Sequence, residues 1–453
     1  MNLLLVLSLV LAGPPVANES SAQPTGTTAT TYTIEDCVRI ALQRNAKLEE
    51  AEAKVKEIRT QLAEIESIFY PKLTGIFYIS PMYSVRGSAL DEDVEVQYAG
   101  LSDWGPYTHL QAVLAQPVTT FGRFAANERA LKARIAVERA RVREAEQMVA
   151  LEIRKLYYGH LFAKSMLKPL ERVLNTLTEA SKQANEKYES GSGSVTQIDL
   201  NKLQYADHQA HRYLLEAEYG RDISLAALKH TMGLPQNAPM AVTEKRLPRL
   251  PKESSVKLSD LLVEAAQNRP EWAQLDQGEK ATLALRDAET LANMPALFLA
   301  GLFEHNWTPM RDDATNPYHH DPYNGMTGGI ALGVQFNFDP WRFAARSDKA
   351  AAQHEQVTAL KRFAQTGIPL QVRQAYDGVT LQRRSSELAS KSVKATRKWM
   401  TFAASAFATG TGEPRDLLEG IGAYTKAKHS HYQSLYDYYL AEAALHHAIG
   451  RDQ

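Results

Sequence analysis

The chain has 453 residues and carries 51 lysines and arginines against 52 aspartates and glutamates, so its net charge is close to zero. This balance argues against a nucleic-acid partner, which would require a basic face. No apolar run of about 18 residues follows the N-terminus, which argues against membrane-spanning helices. The single cysteine, Cys37, has no partner for an internal disulfide and lies in a helical pattern, so we expect a buried thiol.

The N-terminus carries a short apolar run, residues 3–12, followed by prolines and small residues that end at Ala22. This order is typical of a secretory signal, although no lysine or arginine precedes the run. We therefore predict a signal peptide at 1–22. An exported, cysteine-poor and helix-rich chain is typical of the bacterial envelope.

The first half begins with a predicted helix over 33–69, which ends at Tyr70-Pro71 because proline lacks the amide hydrogen. Strand candidates follow at 73–79 and 107–118. A helical pattern then runs for some 65 residues, about 100 Å, with a kink expected at Pro169.

A glycine- and serine-rich break at 189–194 leads into a return helix over 196–230 and then a proline-rich linker. The second half repeats this order, with a helix over 258–293 and strands at 297–304 and 329–338. Its long helix, 343–407, is expected to break at Gly367–Pro369. The predicted domains are a first repeat at 23–232 (β-hairpin 72–118, helical hairpin 122–232), a linker at 233–256, and a second repeat at 257–450 (β-hairpin 296–339, helical hairpin 341–450).

The two halves are related in sequence as well as in pattern. The segment Val149–Gly159 returns as Ile368–Gly378, 219 residues later, and the same offset carries Arg123-Phe-Ala-Ala onto Arg342-Phe-Ala-Ala. A period this long indicates duplication of a whole structural half.

The strand at 329–338 alternates large apolar residues with small or polar ones. Period two over about ten residues suits a tilted membrane-spanning strand, but also a half-buried strand in a soluble sandwich. The four strands of one chain are too few to close into a barrel, and the long flanking helices cannot wrap around them. The bilayer core has no water to hydrogen-bond the open edges of such a sheet. Several copies must then share one barrel: two chains would give eight strands and a filled interior, and three would give twelve and an open lumen.

Helices of about 100 Å must pack laterally as coiled coils. The predicted fold class is therefore an α+β membrane protein, with a coiled-coil helical barrel joined to a transmembrane β-barrel built by several chains. Phe121, Trp341 and Phe343 lie at the strand-to-helix boundaries. An interfacial aromatic belt belongs there, although core aromatics at an element junction would follow the same pattern.

Several motifs, in this order, resemble the TolC-like outer-membrane efflux protein family. They are the opening 32–45, Phe69-Tyr-Pro-Lys-Leu73, Gln116-Pro-Val-Thr-Thr-Phe-Gly-Arg123, and the two helical tips at 188–200 and 407–418. The resemblance implies a homotrimer in the bacterial outer membrane, with twelve strands, a large periplasmic portion and no cofactor. It would be the exit duct of a tripartite efflux pump or type I secretion system, with a periplasmic adaptor and an inner-membrane transporter as partners.

By the same resemblance, acidic residues after the second tip form a periplasmic gate. Asp416 and Glu419 stand six and nine residues past Gly410. At the first tip, the acid Asp199 stands six residues past Gly193, whereas the residue six past Gly191 is Gln197. A ring of carboxylates would bind cations, although acids at a helix start are also favoured by the helix dipole alone.

The tip glycines, Gly191, Gly193, Gly410 and Gly412, permit a tight backbone reversal, and the resemblance implies adaptor docking there.

The histidines do not predict a metal site, because the pairs His208/His211 and His319/His320 lack a third ligand at motif spacing. His446 and His447 suit a helix end electrostatically. No phosphate loop, nucleophile elbow or HExxH motif occurs, so an enzyme is not expected. The alternative function is a soluble periplasmic coiled-coil scaffold; a general porin is disfavoured because a simple sieve has no use for such helices.

Overall fold

The computed structural model describes residues 30–87, 97–98, 103–191, 195–252, 256–312, 318 and 321–451. The predicted signal peptide, the tip residue Gly193 and the pair His319/His320 lie outside the described residues.

The two halves have the same order of main elements: two shorter helices, a β-hairpin, a long helix and a return helix. The helices are α1 Ile34–Arg44, α2 Ala46–Glu66, α3 Arg123–Glu189, α4 Gln197–Thr231, α5 Leu258–Asn268, α6 Pro270–Thr290, α7 Pro340–Thr409 and α8 Pro414–Ile449. The strands are β1 Thr30–Tyr32, β2 Lys72–Tyr83, β3 Val85–Arg86, β4 Gln97–Tyr98, β5 Trp104–Thr119, β6 Met240–Val242, β7 Ala296–Trp307 and β8 Gly325–Gln335.

The first helix of each half is divided in two, where the sequence predicted one. Asn45 has an extended backbone (φ −76°, ψ 123°), and its side chain accepts a hydrogen bond from the amide of Lys47, which caps α2. Arg269 is extended in the same way because Pro270 follows it, and a residue before proline disfavours the helical region.

The two long helices are continuous, so the break expected at Gly367–Pro369 is wrong. Pro369 lies inside α7, and Pro169 lies inside α3. A proline in a helix removes one backbone hydrogen bond. Pro169 is buried beside Leu170, which is 1% exposed, whereas Pro369 is exposed beside the buried Ile368 and Val372, which are 6% and 0% exposed. Packing of these buried residues against other helices holds the chain helical across each gap.

One strand is displaced from its predicted position. β8 covers Gly325–Gln335, so Phe336 and Phe338 of the predicted strand lie beyond it. The ladder ends with the pair Ala296 and Gln335, because β7 begins directly after Pro295 and offers no further partner.

The four long strands form one antiparallel sheet in the order β2-β5-β7-β8, so the two hairpins are joined through β5 and β7. Register pairs include Phe77 with Leu110 and Leu299 with Leu332. A separate parallel pair, β1 with β6, ties the residues before α1 to the linker between the halves. The sequence did not predict this pair, since both strands have only three residues.

The helices pack side by side in a layer. Near the sheet the order of neighbours is α2-α3-α6-α7, and towards the tips it is α4-α3-α8-α7. One edge of the layer is therefore formed by α2 and α4, and the other edge by α7. The sheet has matching edges, β2 and β8.

The two largest clusters of buried hydrophobic residues in the described chain hold most of the layer together. The larger joins α1, the linker, α3 and α8 around Tyr157, which is fully buried, and includes Cys37. Burial raises the pKa of the Cys37 thiol to about 12, so this cysteine is an inert core residue, as expected. The smaller cluster lies between the two helical tips around Phe407.

His446 and His447 do not behave as charged groups at a helix end. Both lie in the last turn of α8. Burial lowers the pKa of each imidazole below its usual value of 6.5, so the neutral form is favoured. The desolvation of the ring outweighs the attraction of the helix end for a cation.

This burial predicts acid sensitivity. Because the folded-state pKa is lowered, the stabilisation is fully present above pH 6.5, the unfolded value, and is lost as pH falls through the folded pKa. We expect His446→Gln with His447→Gln to flatten the fall in melting temperature between pH 7 and pH 5, measured by circular dichroism. The control is His208→Gln with His211→Gln, two exposed histidines of α4; an equal flattening there would contradict the assignment.

Candidate functional site

One face of the four-stranded sheet is apolar and exposed. Strand register places on this face large side chains from all four strands, and Ile330 is 83% exposed. The exposed members are Leu73, Phe77, Ile79, Leu110, Leu114, Leu299, Phe303, Met326, Ile330, Leu332 and Val334. β2 and β7 have 12 residues each, about 40 Å when extended, enough for an apolar band of about 25 Å in tilted strands.

The opposite face is mixed: small, polar and aromatic side chains predominate, with a few aliphatic ones such as Ile76 and Leu302. A hydrogen-bonded network lies at its end away from the helices. The Tyr107 hydroxyl donates to Asn306 Oδ1 (3.0 Å), and His109 Nδ1 lies 2.6 Å from the same oxygen. The Asn306 amide donates to Glu304 (2.9 Å), and Tyr78 stacks on His109. Because Asn306 is buried and fully engaged, this network ties β5 to β7 on the polar face.

Aromatic side chains border the apolar face at both ends. At the helix end, Phe121 and Trp341 are exposed, and Phe343 is half-buried. At the far end stand Tyr83, Trp104 and Trp307, all exposed on the apolar face. Sequence reasoning missed this second group; the signal was an aromatic residue at the loop end of three strands.

Phe121 has a further structural feature. Its φ is +48°, and the next residue, Gly122, also has a positive φ, +93°. A side chain in this backbone region is strained. The turn from strand to helix therefore directs an aromatic ring outwards at the border of the apolar face.

Three of the tip glycines, Gly191, Gly410 and Gly412, lie in the turns where the helical hairpins reverse. Gly191 and Gly410 have φ values of +67° and +82°, which glycine adopts readily. At Gly412 an added Cβ would lie 2.8 Å from Ala406 Cβ, and its amide donates to the carbonyl of Ala406. These contacts close the C-terminal end of α7.

The two tips are joined by a contact that the sequence did not reveal. Lys187, near the end of α3, donates to the carbonyl of Phe407, and its ammonium group lies 4.4 Å from the centre of the Phe407 ring. The residues are 220 positions apart, so only the fold brings them together. A cation here also suits the carboxyl end of α7.

The predicted gate acids differ in their surroundings. Asp199 accepts hydrogen bonds from the Thr196 hydroxyl (2.6 Å) and amide (3.1 Å) in a capping box. These bonds lower the pKa of Asp199, which keeps it ionised at neutral pH. Asp416 and Glu419 are exposed on one face of α8, and Glu419 pairs with Arg415 (2.8 Å). Among the residues that the structure describes, no hydrogen bond or ion pair joins Asp199 to either of them.

Two further properties concern the described residues alone. Among them, no group of three or more His, Cys, Asp or Glu side chains is arranged to hold a metal ion. In the part of the chain that the structure covers, no helix has both the length and the apolarity needed to cross a membrane.

Solved structures share this fold. The CmeC outer membrane channel of Campylobacter jejuni matches with a TM-score of 0.75 and 17% identity, over 98% of this chain and 94% of that chain. A membrane protein from Pseudomonas aeruginosa matches with a TM-score of 0.73 and 16% identity, over 96% of this chain and 99% of that chain. VceC from Vibrio cholerae matches with a TM-score of 0.70 and 14% identity, over 92% of this chain and 96% of that chain. At these identities the likeness shows the fold. No curated protein sequence matches the chain.

The long paired helices and the two-faced sheet define an outer-membrane channel protein. The sequence profile described as outer membrane efflux protein matches residues 37–234 and 261–451. The chain therefore belongs to the outer membrane efflux protein family, and the resemblance seen in its motifs is confirmed. It is an outer-membrane protein with a large periplasmic helical portion, and it is not an enzyme.

The prediction that the apolar face contacts lipid has a measurable consequence. Ile330→Lys places a charge in the middle of β8 on the apolar face, which costs roughly 2–4 kcal/mol at the bilayer midplane. Ala331→Lys, one residue on, places the same charge on the opposite face and should be tolerated. We expect the first variant to lower the yield of folded protein in outer-membrane fractions and its urea midpoint in lipid vesicles. Equal behaviour of the two variants would contradict the assignment of the faces.

Proposed function

We propose that three copies of the chain form one tube, a twelve-stranded β-barrel continued by a helical tunnel, which is the exit duct of a tripartite efflux pump or type I secretion system. In this proposal a periplasmic adaptor docks at the helical tips, an inner-membrane transporter supplies the energy, and the duct conducts passively. The observation that carries it is the pair of unpaired sheet edges beside an exposed apolar face.

The sheet edges support assembly. Among the described residues, β2 and β8 each pair on one side only, and both lie in a sheet whose apolar face is exposed. In a bilayer an unpaired strand edge costs several kcal/mol for each unsatisfied backbone group. Pairing β2 of one copy with β8 of the next removes both edges at once. Three copies give twelve strands and an open lumen, whereas two would give a filled barrel.

The helices carry matching apolar stripes at the same two edges. On α7, exposed apolar residues recur in steps of seven, with others three or four positions away; they are Leu360, Phe363, Leu370, Leu381, Leu388, Trp399 and Phe402. On α4 the corresponding residues are Ile198, Tyr205, Leu215, Tyr219 and Ile223. A seven-residue repeat is the pattern of a coiled-coil seam.

These edges are different surfaces, so each contact is head-to-tail, and such contacts close into a ring when the rotation permits. One copy offers β2 and α4, and the next offers β8 and α7. The sheet and the helical layer therefore require the same ring. A soluble scaffold, in contrast, would leave the sheet's apolar face in water. Soluble monomers rarely expose a contiguous apolar patch that spans four strands.

The helical seam can be tested without disturbing the core. Leu381→Lys with Leu388→Lys places two charges in the stripe of α7, where both side chains are exposed in the single chain. We expect the SDS-resistant, heat-modifiable trimer to be lost while the circular dichroism of the helices is kept. Glu387→Lys, exposed on α7 but outside the stripe, is the control. A double variant with an unchanged trimer would argue against this assembly.

For the gate, we propose that Asp416 and Glu419, with Asp199 from the first tip, narrow the periplasmic end. Support comes from the exposure of Asp416 and Glu419 at the start of α8 and from the position of Asp199, half-buried at the start of α4 with a lowered pKa. Three copies would bring their carboxylates close together, where they attract cations.

Removal of these charges should open the tube to ions. We expect Asp416→Asn with Glu419→Gln to raise single-channel conductance in planar bilayers and to weaken block by divalent cations, because fewer carboxylates remain to bind them. Glu413→Gln removes one charge at the same tip and is the control. Unchanged conductance and block in the double variant would remove these residues from the gate.

A further inference from the structure

A deep groove lies between α4 and α8, with α3 as its floor. Its volume is about 860 Å³. The floor carries Phe162, Met166 and Leu170, and the walls carry Tyr213 from α4 and Tyr436 from α8. The volume is in the range of sites that enclose drug-sized molecules.

The groove opens on the face of the layer opposite the linker. On α3, Ile153, Tyr157 and Leu161 pack against α1 and the linker. At about 100° per residue, the groove residues Met166 and Leu170 lie roughly half a turn away. If the linker and α1 lay inside the tube, three copies of them would fill it. We therefore place them outside, and the groove then faces the tunnel.

A neighbouring copy does not cover the groove. On α4, the stripe that we assign to the contact between copies is centred on Tyr219 and Ile223. Its member Tyr205 also lines the end of the groove nearer the tip, so the neighbouring copy borders the groove there. The groove residues Gln209, Tyr213 and Gly220 are turned from this centre by roughly 60 to 100° around the helix axis. A helix packed on the stripe therefore leaves the groove open to the tunnel.

Gly422 in α8 is explained by the groove and not by helix packing. An added Cβ at Gly420 would lie 3.2 Å from Met400 Cα, so that glycine permits close packing of α7 on α8. At Gly422 an added Cβ would meet nothing within 4 Å. Glycine inside a helix is destabilising relative to alanine. Its one structural consequence at this position is a wider groove.

The lining determines the kind of molecule that fits. The Phe162 ring lies 5.8 Å from the His429 ring, edge to face, and 5.8 Å from the Tyr436 ring. Such rings favour stacking and edge contacts with another aromatic ring. The lining also holds one carboxylate, Glu216, and one ammonium group, Lys426, whose opposite charges balance.

We infer that this groove binds planar aromatic molecules of drug size, uncharged or zwitterionic, on their way through the tunnel. The inference rests on the proposed function, because only a tunnel brings cargo to this face of the helical layer. It makes the duct a tube with a binding site of its own.

The test uses the full-length trimer in lipid nanodiscs and the neutral aromatic probe N-phenyl-1-naphthylamine, with empty nanodiscs as the blank. Gly422→Leu fills the groove, and we expect it to raise the Kd of the probe at least ten-fold. Tyr213→Ala, which removes one aromatic wall, should raise it several-fold. Ser430→Leu adds the same side chain at an exposed position of α8 outside the lining, and should leave the Kd unchanged within two-fold.

Trimer content and single-channel conductance are measured on the same preparations, which separates the two proposals. A Gly422→Leu trimer with normal conductance and an unchanged Kd overturns the groove and leaves the duct intact. If the wild-type trimer binds no more probe than empty nanodiscs do, the groove is likewise overturned and the duct is left intact. A wild-type chain that forms neither trimer nor channel overturns the duct and the groove together.

Discussion

Backbone hydrogen bonding at the two edges of one small sheet is the constraint on which the rest of this structure depends. β2 and β8 each leave one side unpaired, and one face of the sheet is apolar and exposed. A bilayer satisfies the face but not the edges, because its core has no water to bond to them. A single chain therefore cannot be the functional unit that we propose.

The helical layer obeys the same geometry. α4 and α7 lie at its two edges, and each carries an exposed apolar stripe on the side away from the layer. Lateral packing of this kind also explains why α3 and α7 stay continuous through Pro169 and Pro369, since many buried contacts outweigh one missing hydrogen bond. The helices are therefore long because of their neighbours and not because of their own sequence preferences.

At the tips, side chains serve the local fold and the proposed gate together. Asp199 caps α4, yet the same hydrogen bonds keep its carboxylate charged. Lys187 ties α3 to the last turn of α7. The tip is thus a set of short-range contacts between two hairpins, so a change in the structure of one hairpin alters its contacts with the other. The groove between α4 and α8 lies between the tips and the sheet, on the face of the helical layer that we assign to the tunnel.

The sequence by itself determined the duplication, the kind of each main element, the alternation of the membrane strand and the family, because these depend on local period and on ordered motifs. The breaks at Asn45 and Arg269 have local signals, an asparagine cap and a following proline, which the longer helical pattern masked. Whether the helix continues through Pro369 depends on packing by distant helices, which no local pattern records. Only the tertiary structure decided the strand order, the β1–β6 pair, the contact of Lys187 with Phe407 and the burial of His446 and His447. Each of these joins residues far apart in the chain, and no local pattern records such a pairing.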